Sequence, residues 1–135
     1  MEAEHRLTER QMQNVVALIE ALESGKYRQV KRSLRSAEGY CVTGVMCEIS
    51  GLGTWEPYDS TDKFHFAINY HDGDIWRWLN FAPYDVVNHY GMPLDFSAQI
   101  VYLNDHVGVS FADIARRLRI WLDNGAPRDM SIREL

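Results

Sequence analysis

The sequence predicts an α+β domain, in which a central antiparallel β-hairpin is packed by an N-terminal and a C-terminal helix. Three observations carry that expectation. Thr8-Glu9-Arg10-Gln11 has capping-box spacing ahead of an apolar stripe. Ser110 and Asp113 form a capping pair before a second stripe near the other end of the chain. Between them, Asp72-Gly73 separates two aromatic-rich runs, a strong short-range hairpin signal because a type I′ turn needs φ > 0 at both centres.

In the first helix the Thr8 hydroxyl and the Gln11 amide satisfy backbone N–H groups that the first turn leaves without partners. Met12, Val15, Val16, Ile19 and Leu22 recur at helical spacing as its buried stripe, and Gly25 supplies a left-handed stop. Residues 26–35 then concentrate Lys26, Arg28, Lys31, Arg32 and Arg35. After a Ser-Ala-Glu-Gly turn, Val42, Val45, Met46 and Ile49 fall at i, i+3, i+4 and i+7, which predicts a short buried helix ending at Gly51. The β-branched valines leave a strand as the alternative. Residues 51–62, rich in Gly, Thr, Asp and Ser, read as loop.

A two-residue turn at Asp72-Gly73 would pair His71 with Asp74, Tyr70 with Ile75 and Asn69 with Trp76. Phe64, Phe66, Ile68 and Tyr70 then share a core face with Ile75, Leu79 and Phe81. The opposite face carries His65, Ala67, Asn69 and His71 beside Trp76, Trp78 and Asn80. Pro83 starts a helix with Val86, Val87 and Tyr90 on its apolar side, and Gly91 with Pro93 ends it. The stretch near residues 98–103, "AQIVYL", is expected as a third strand or a buried connector. Phe111, Ile114, Ala115, Leu118 and Leu122 make the last helical stripe, closed by Gly125 and Pro127. The expected domain spans residues 1–125, followed by a loose polar tail at 126–135.

The totals narrow the function classes. At 135 residues, 46% hydrophobic and 24% charged, the chain is long enough for one real core. A net charge of −5 argues against general duplex DNA binding, which needs a positive surface. The sequence contains no run of apolar residues long enough for a membrane span, and its first residues lack the apolar core of a signal peptide. Cys41 and Cys47, six positions apart on one helix, would stand about 9 Å apart at ~1.5 Å per residue, beyond the ~7 Å reach of a disulfide. Reduced thiols and a cytoplasmic location are the simplest expectation.

Three features could carry chemistry. The face of Trp76 and Trp78, with His65, Asn69 and Asn80, offers indole stacking and amide recognition of a planar ligand. The plainer reading is that a helix covers it and the tryptophans are core. Arg28, Arg32 and Arg35 could grip phosphates, although a charge run is more often a solvated face. Finally, Cys41 at a helix N-terminus, His65 as base and Asn80 as orienter would form a papain-type constellation. Buried inert cysteines are far commoner than nucleophiles. His65 and His71, six residues apart on a strand, stand about 20 Å apart at ~3.3 Å per residue and cannot share a metal ion.

Two resemblances follow from particular strings. "HFAINYHDGDIW" is loosely similar to the His-bearing hairpin of NlpC/P60-type cysteine peptidases, though no additional strand precedes it here. "ALESGKYRQ" (21–29), "LRSAEGYCVTGVMCE" (34–48) and "YLNDHVGVSFADIARRL" (102–118) together resemble a family of small phage and prophage proteins. That resemblance implies an accessory protein and supplies no catalytic residues; residues 63–81 depart from its shorter members. The leading expectation is therefore a non-catalytic binding protein for a nucleotide-like ligand or a host protein, with a counter-defence role and no cofactor. The alternative is a cysteine hydrolase using Cys41, His65 and Asn80. Neither duplex DNA nor a membrane is an expected partner, and a homo-oligomer stays open.

Overall fold

A computed structural model describes residues 5–70 and 72–135 and bears out the α+β architecture. The first helix, α1 (Glu9–Glu23), opens with the predicted capping box: the Gln11 N–H donates to Thr8 Oγ1, and the Thr8 N–H donates to Gln11 Oε1, each at 3.1 Å. Its buried face is Val15, Leu18, Ile19 and Leu22; Leu18 takes the place expected for Val16, which is exposed. Against this face lies α5 (Phe111–Asp123), capped by Ser110 and buried through Phe111, Ile114, Ala115, Leu118 and Trp121. The Trp121 indole stacks on Phe96 with ring centroids 4.3 Å apart. The last turn thus buries Trp121, one position from the predicted Leu122.

Helix α2 (Val42–Ser50) begins at Cys41 and stops at Gly51, whose φ of 70° is left-handed. Its packing is tight enough that a Cβ at Gly44 would lie 1.7 Å from the Leu34 carbonyl oxygen. This contact explains the glycine: the basic segment crosses the helix backbone to backbone.

The sheet has five antiparallel strands: β1 (Arg35–Ser36), β2 (Gly39–Tyr40), β3 (Thr54–Pro57), β4 (Lys63–Asn69) and β5 (Ile75–Trp78). β4 is its axis. Strand β3 takes one edge of β4, while β1 and β5 share the other, end to end. The Leu34 N–H, donating to the Leu79 carbonyl at 3.0 Å, ties those two ends together. Strand β3 was expected as loop; Trp55 recruits it to the sheet by packing edge-on against Phe66, 5.0 Å between centroids.

The hairpin register corrects the predicted one by a single position. The Tyr70 N–H donates to the Asp74 carbonyl and the Gly73 N–H to the Tyr70 carbonyl, each at 2.9 Å. Three positions, 71–73, therefore lie between the paired ends, and Gly73 adopts a left-handed φ of 85°. His71, which the prediction paired with Asp74, is outside the described residues. Ile68 faces Trp76, Phe66 faces Trp78 and Asn69 faces Ile75. Because strand side chains alternate, that slip moves both tryptophans onto the face of Phe66 and Ile68, and Ile75 onto the face of His65 and Asn69.

The third strand expected near residues 98–103 is helical. Pro93 stands at the N-cap of α4 (Leu94–Tyr102), which runs into a π-helical turn at Leu103–Val107. Phe96, Ile100 and Leu103 fall four and then three residues apart and are all buried, a helical stripe that a short valine-containing run concealed. The predicted helix after Pro83 is α3 (Tyr84–His89). The tail is also corrected. Ile132 is fully buried, and Arg117 Nη1 donates to the Ile132 and Arg133 carbonyls at 3.0 Å, holding a 3₁₀ turn at Ile132–Glu134 against α5.

Candidate functional site

The β4–β5 hairpin presents the most unusual surface. Tyr70 just past the end of β4, Asp72 in the turn, and Trp76 and Trp78 on β5 line an open recess of about 400 Å³. Trp76 is 59% exposed, whereas Trp78 is half-buried and packs against the core. The Asp74 N–H donates to Asp72 Oδ1 at 3.0 Å, which fixes that carboxylate at the tip. Burial and then the neighbouring Asp85 carboxylate push the Tyr70 phenol pKa up, so it stays a neutral hydroxyl. Exposed Phe81 and Tyr84 follow directly along the chain.

The free edge of β5 adds a second property. Tyr70 and Asp74 form a bonded position, so antiparallel alternation makes Ile68–Trp76 and Phe66–Trp78 bonded pairs as well. Ile75 and Arg77 therefore turn their backbone N–H and C=O groups away from β4. Among the described residues no strand pairs with them there.

The remaining predicted residues are dispersed. His65 and Asn69 project from the opposite face of β4; the His65 ring lies edge-on to Tyr58, 4.7 Å between centroids, and Asn69 is exposed. Asn80 is exposed beyond the end of β5. Arg28 lines a separate cavity of about 510 Å³ with Lys31, Lys63, Ser36, Glu38 and Asp62. Arg35 is enclosed by Tyr40, Trp55 and Phe64, its guanidinium carbon 5.1, 5.6 and 4.7 Å from their centroids. Arg32 sits at a left-handed φ of 68° and donates its N–H to Asp105 Oδ1 at 2.9 Å. The three arginines thus have three different surroundings and form no shared phosphate clamp.

Cys41 is at the helix N-terminus, as expected, but its thiol is buried. Its Sγ lies 3.0 Å from Thr43 Oγ1 and accepts the Gly44 N–H at 3.4 Å. Burial pushes the Cys41 pKa up more than these bonds lower it, and burial pushes Cys47 up further. No hydrogen bond joins Cys41, His65 and Asn80 among the described residues. Nor do any three His, Cys, Asp or Glu side chains among those residues come together as a metal site requires.

What the structure does bring together went unnoticed as a constellation in the sequence. Asn104, completely buried in the π-helical turn, accepts from Gln29 Nε2 at 2.8 Å and from the Val42 N–H at 3.2 Å through its Oδ1. Its Nδ2 donates to the Val30 carbonyl at 3.0 Å and to Asp105 Oδ1 at 2.8 Å. Gln29 Nε2 also donates to the Val109 carbonyl, and Gln29 Oε1 accepts the Phe111 N–H. These residues come from the three strings 21–29, 34–48 and 102–118, or lie beside them. The signal available was co-occurrence of "YRQ", "YCVTG" and "LND"; their polar side chains had no local partners to explain them.

The fold and this buried polar centre define a small α+β domain with a five-stranded antiparallel sheet, and among the described residues no helix is long and apolar enough to cross a membrane. The family described as Domain of unknown function (DUF8296) matches residues 12–120, and the chain belongs to it. No curated protein and no solved structure matches the chain.

Proposed function

We propose that this chain is a non-catalytic binding module whose working surface is the outer end of the β4–β5 hairpin. Its occupant is an extended segment of a partner protein, which adds as a strand to the open edge of β5 and seats an apolar side chain beside Trp76. The observation that carries the reading is Trp76: a large indole 59% exposed on an edge strand with outward-facing backbone groups. Interface energy concentrates in such aromatic residues. The raised Cys41 pKa favours binding over thiol catalysis. The likeness of the three strings to small phage proteins supports an accessory role, with the partner among host proteins and counter-defence as its purpose.

A nucleotide-like ligand is the second reading, favoured by the indole faces. It loses the Asn69 amide and the His65 imidazole, which project from the other side of the sheet. Hydrogen exchange tests the choice. In the isolated chain the Ile75 and Arg77 amides exchange freely; with a partner captured from host extract and then purified, they become protected. Trp76→Ala abolishes that complex without changing the melting temperature. Protection confined to other elements, or a complex that tolerates Trp76→Ala, overturns the reading.

A further inference from the structure

A cavity of about 560 Å³ lies between α3 and the start of α4, lined by Tyr84, Asn88 and Leu94 among others, apart from the recess beside Trp76. Its walls include Arg6, Arg128, Asp95, Tyr84 and Leu94. Arg6 is held in one pose: its Nε donates to the Ala126 carbonyl at 2.6 Å and its Nη2 to the Gly91 carbonyl. Both acceptors are neutral. Among the described residues neither Arg6 nor Arg128 forms an ion pair, and Asp95, the one carboxylate in the lining, pairs with neither. Among the described residues, two guanidiniums therefore line one concave space without a paired carboxylate, and burial, then repulsion from Arg128, lowers the Arg6 pKa.

The cavity also receives the start of α4. Pro93 at the N-cap offers the first-turn N–H groups no side-chain acceptor, so the positive end of that nine-residue helix, with Asp95 in its first turn, lines the same cavity as the arginines. Tyr84 and Leu94, 67% and 64% exposed, supply an apolar wall beside this cationic floor. We infer that the cavity binds a phosphate monoester: Arg6 and Arg128 grip the dianion, and its organic body lies over Tyr84 and Leu94. The paired, planar donors of arginine match phosphate geometry, and two cations balance a dianion better than a monocarboxylate.

The test titrates the full chain with inorganic phosphate, phenyl phosphate and benzoate, followed by amide NMR shifts. Phenyl phosphate is expected to bind several-fold tighter than phosphate and to beat benzoate, with shifts centred on Gly91, Leu94 and Asp95. Arg128→Gln should weaken phenyl phosphate about tenfold, the scale of one charge-assisted contact. Asp95→Asn should tighten it, and Lys63→Gln, in the other cavity, should leave it unchanged. Tyr84→Ala should erase the preference for the phenyl ester while keeping phosphate affinity. Shifts centred on Arg28 and Lys63, equal losses in Arg128→Gln and Lys63→Gln, or weaker binding in Asp95→Asn would each overturn the site.

Discussion

The buried centre at Asn104 and the hairpin at Trp76 invert the usual distribution of polarity. At the centre an amide is wholly buried, yet every polar atom finds a partner; at the hairpin an indole stands in water. The first arrangement is costly to break, since a buried donor or acceptor left alone loses its hydration without compensation. The second is cheap to alter, because an exposed side chain contributes little to folding. Stability and the proposed interaction are thus assigned to different parts of the chain.

Substitutions should separate the two regions, the largest effect first. Asn104→Ala strands Gln29, the Val42 N–H and the Val30 carbonyl, and should cost at least about 3 kcal/mol, since each orphaned group is worth ~1–3 kcal/mol; urea unfolding measures it. Gly44→Ala drives a methyl into the Leu34 carbonyl and should cost ~1–3 kcal/mol as overpacking, visible in the same assay. A third test uses pH. Cys41 and Cys47 have raised pKa values when folded, so the native state holds those protons more tightly than the unfolded chain. Their contribution is complete below the ordinary thiol value of 9.0 and is lost as pH climbs above it. Unfolding midpoints should fall as pH rises above 9.0, and Cys47→Ala should flatten that fall. The smallest effect is Trp76→Ala, expected within about 0.5 kcal/mol of the parent. A larger loss would mean the indole belongs to the core and would remove the contrast.

Much of the fold was legible. Thr8 with Gln11, Ser110 with Asp113, and Gly51 announce helix ends by local chemistry, and local chemistry decided them. The hairpin was legible as a reversal and illegible as a register. Asp72-Gly73 suits a two-residue turn, but Gly73 serves equally as the left-handed last position of a longer connection. The choice is made by packing, which draws Trp78 toward Phe66. That single step moved the tryptophans away from His65 and Asn69, which dispersed the predicted pocket. Helix α4 was missed because Ile100, Val101 and Tyr102 suit a strand; only Phe96 and Leu103, outside the quoted run, complete its stripe. The Gln29–Asn104 pairing spans 75 residues, and no spacing rule connects positions so distant.

The placement of β4 at the axis of the sheet also sets a schedule for synthesis. Strands β1 and β3 leave the ribosome before the one segment that can join them, and β1 waits through the 34 residues from Arg35 to Asn69. At ~5–20 residues per second that delay is roughly 2–7 s, long beside the microseconds in which α1 can form. A nascent chain halted short of Lys63 would hold its first helix and an unassembled sheet, a state for chaperones to shelter.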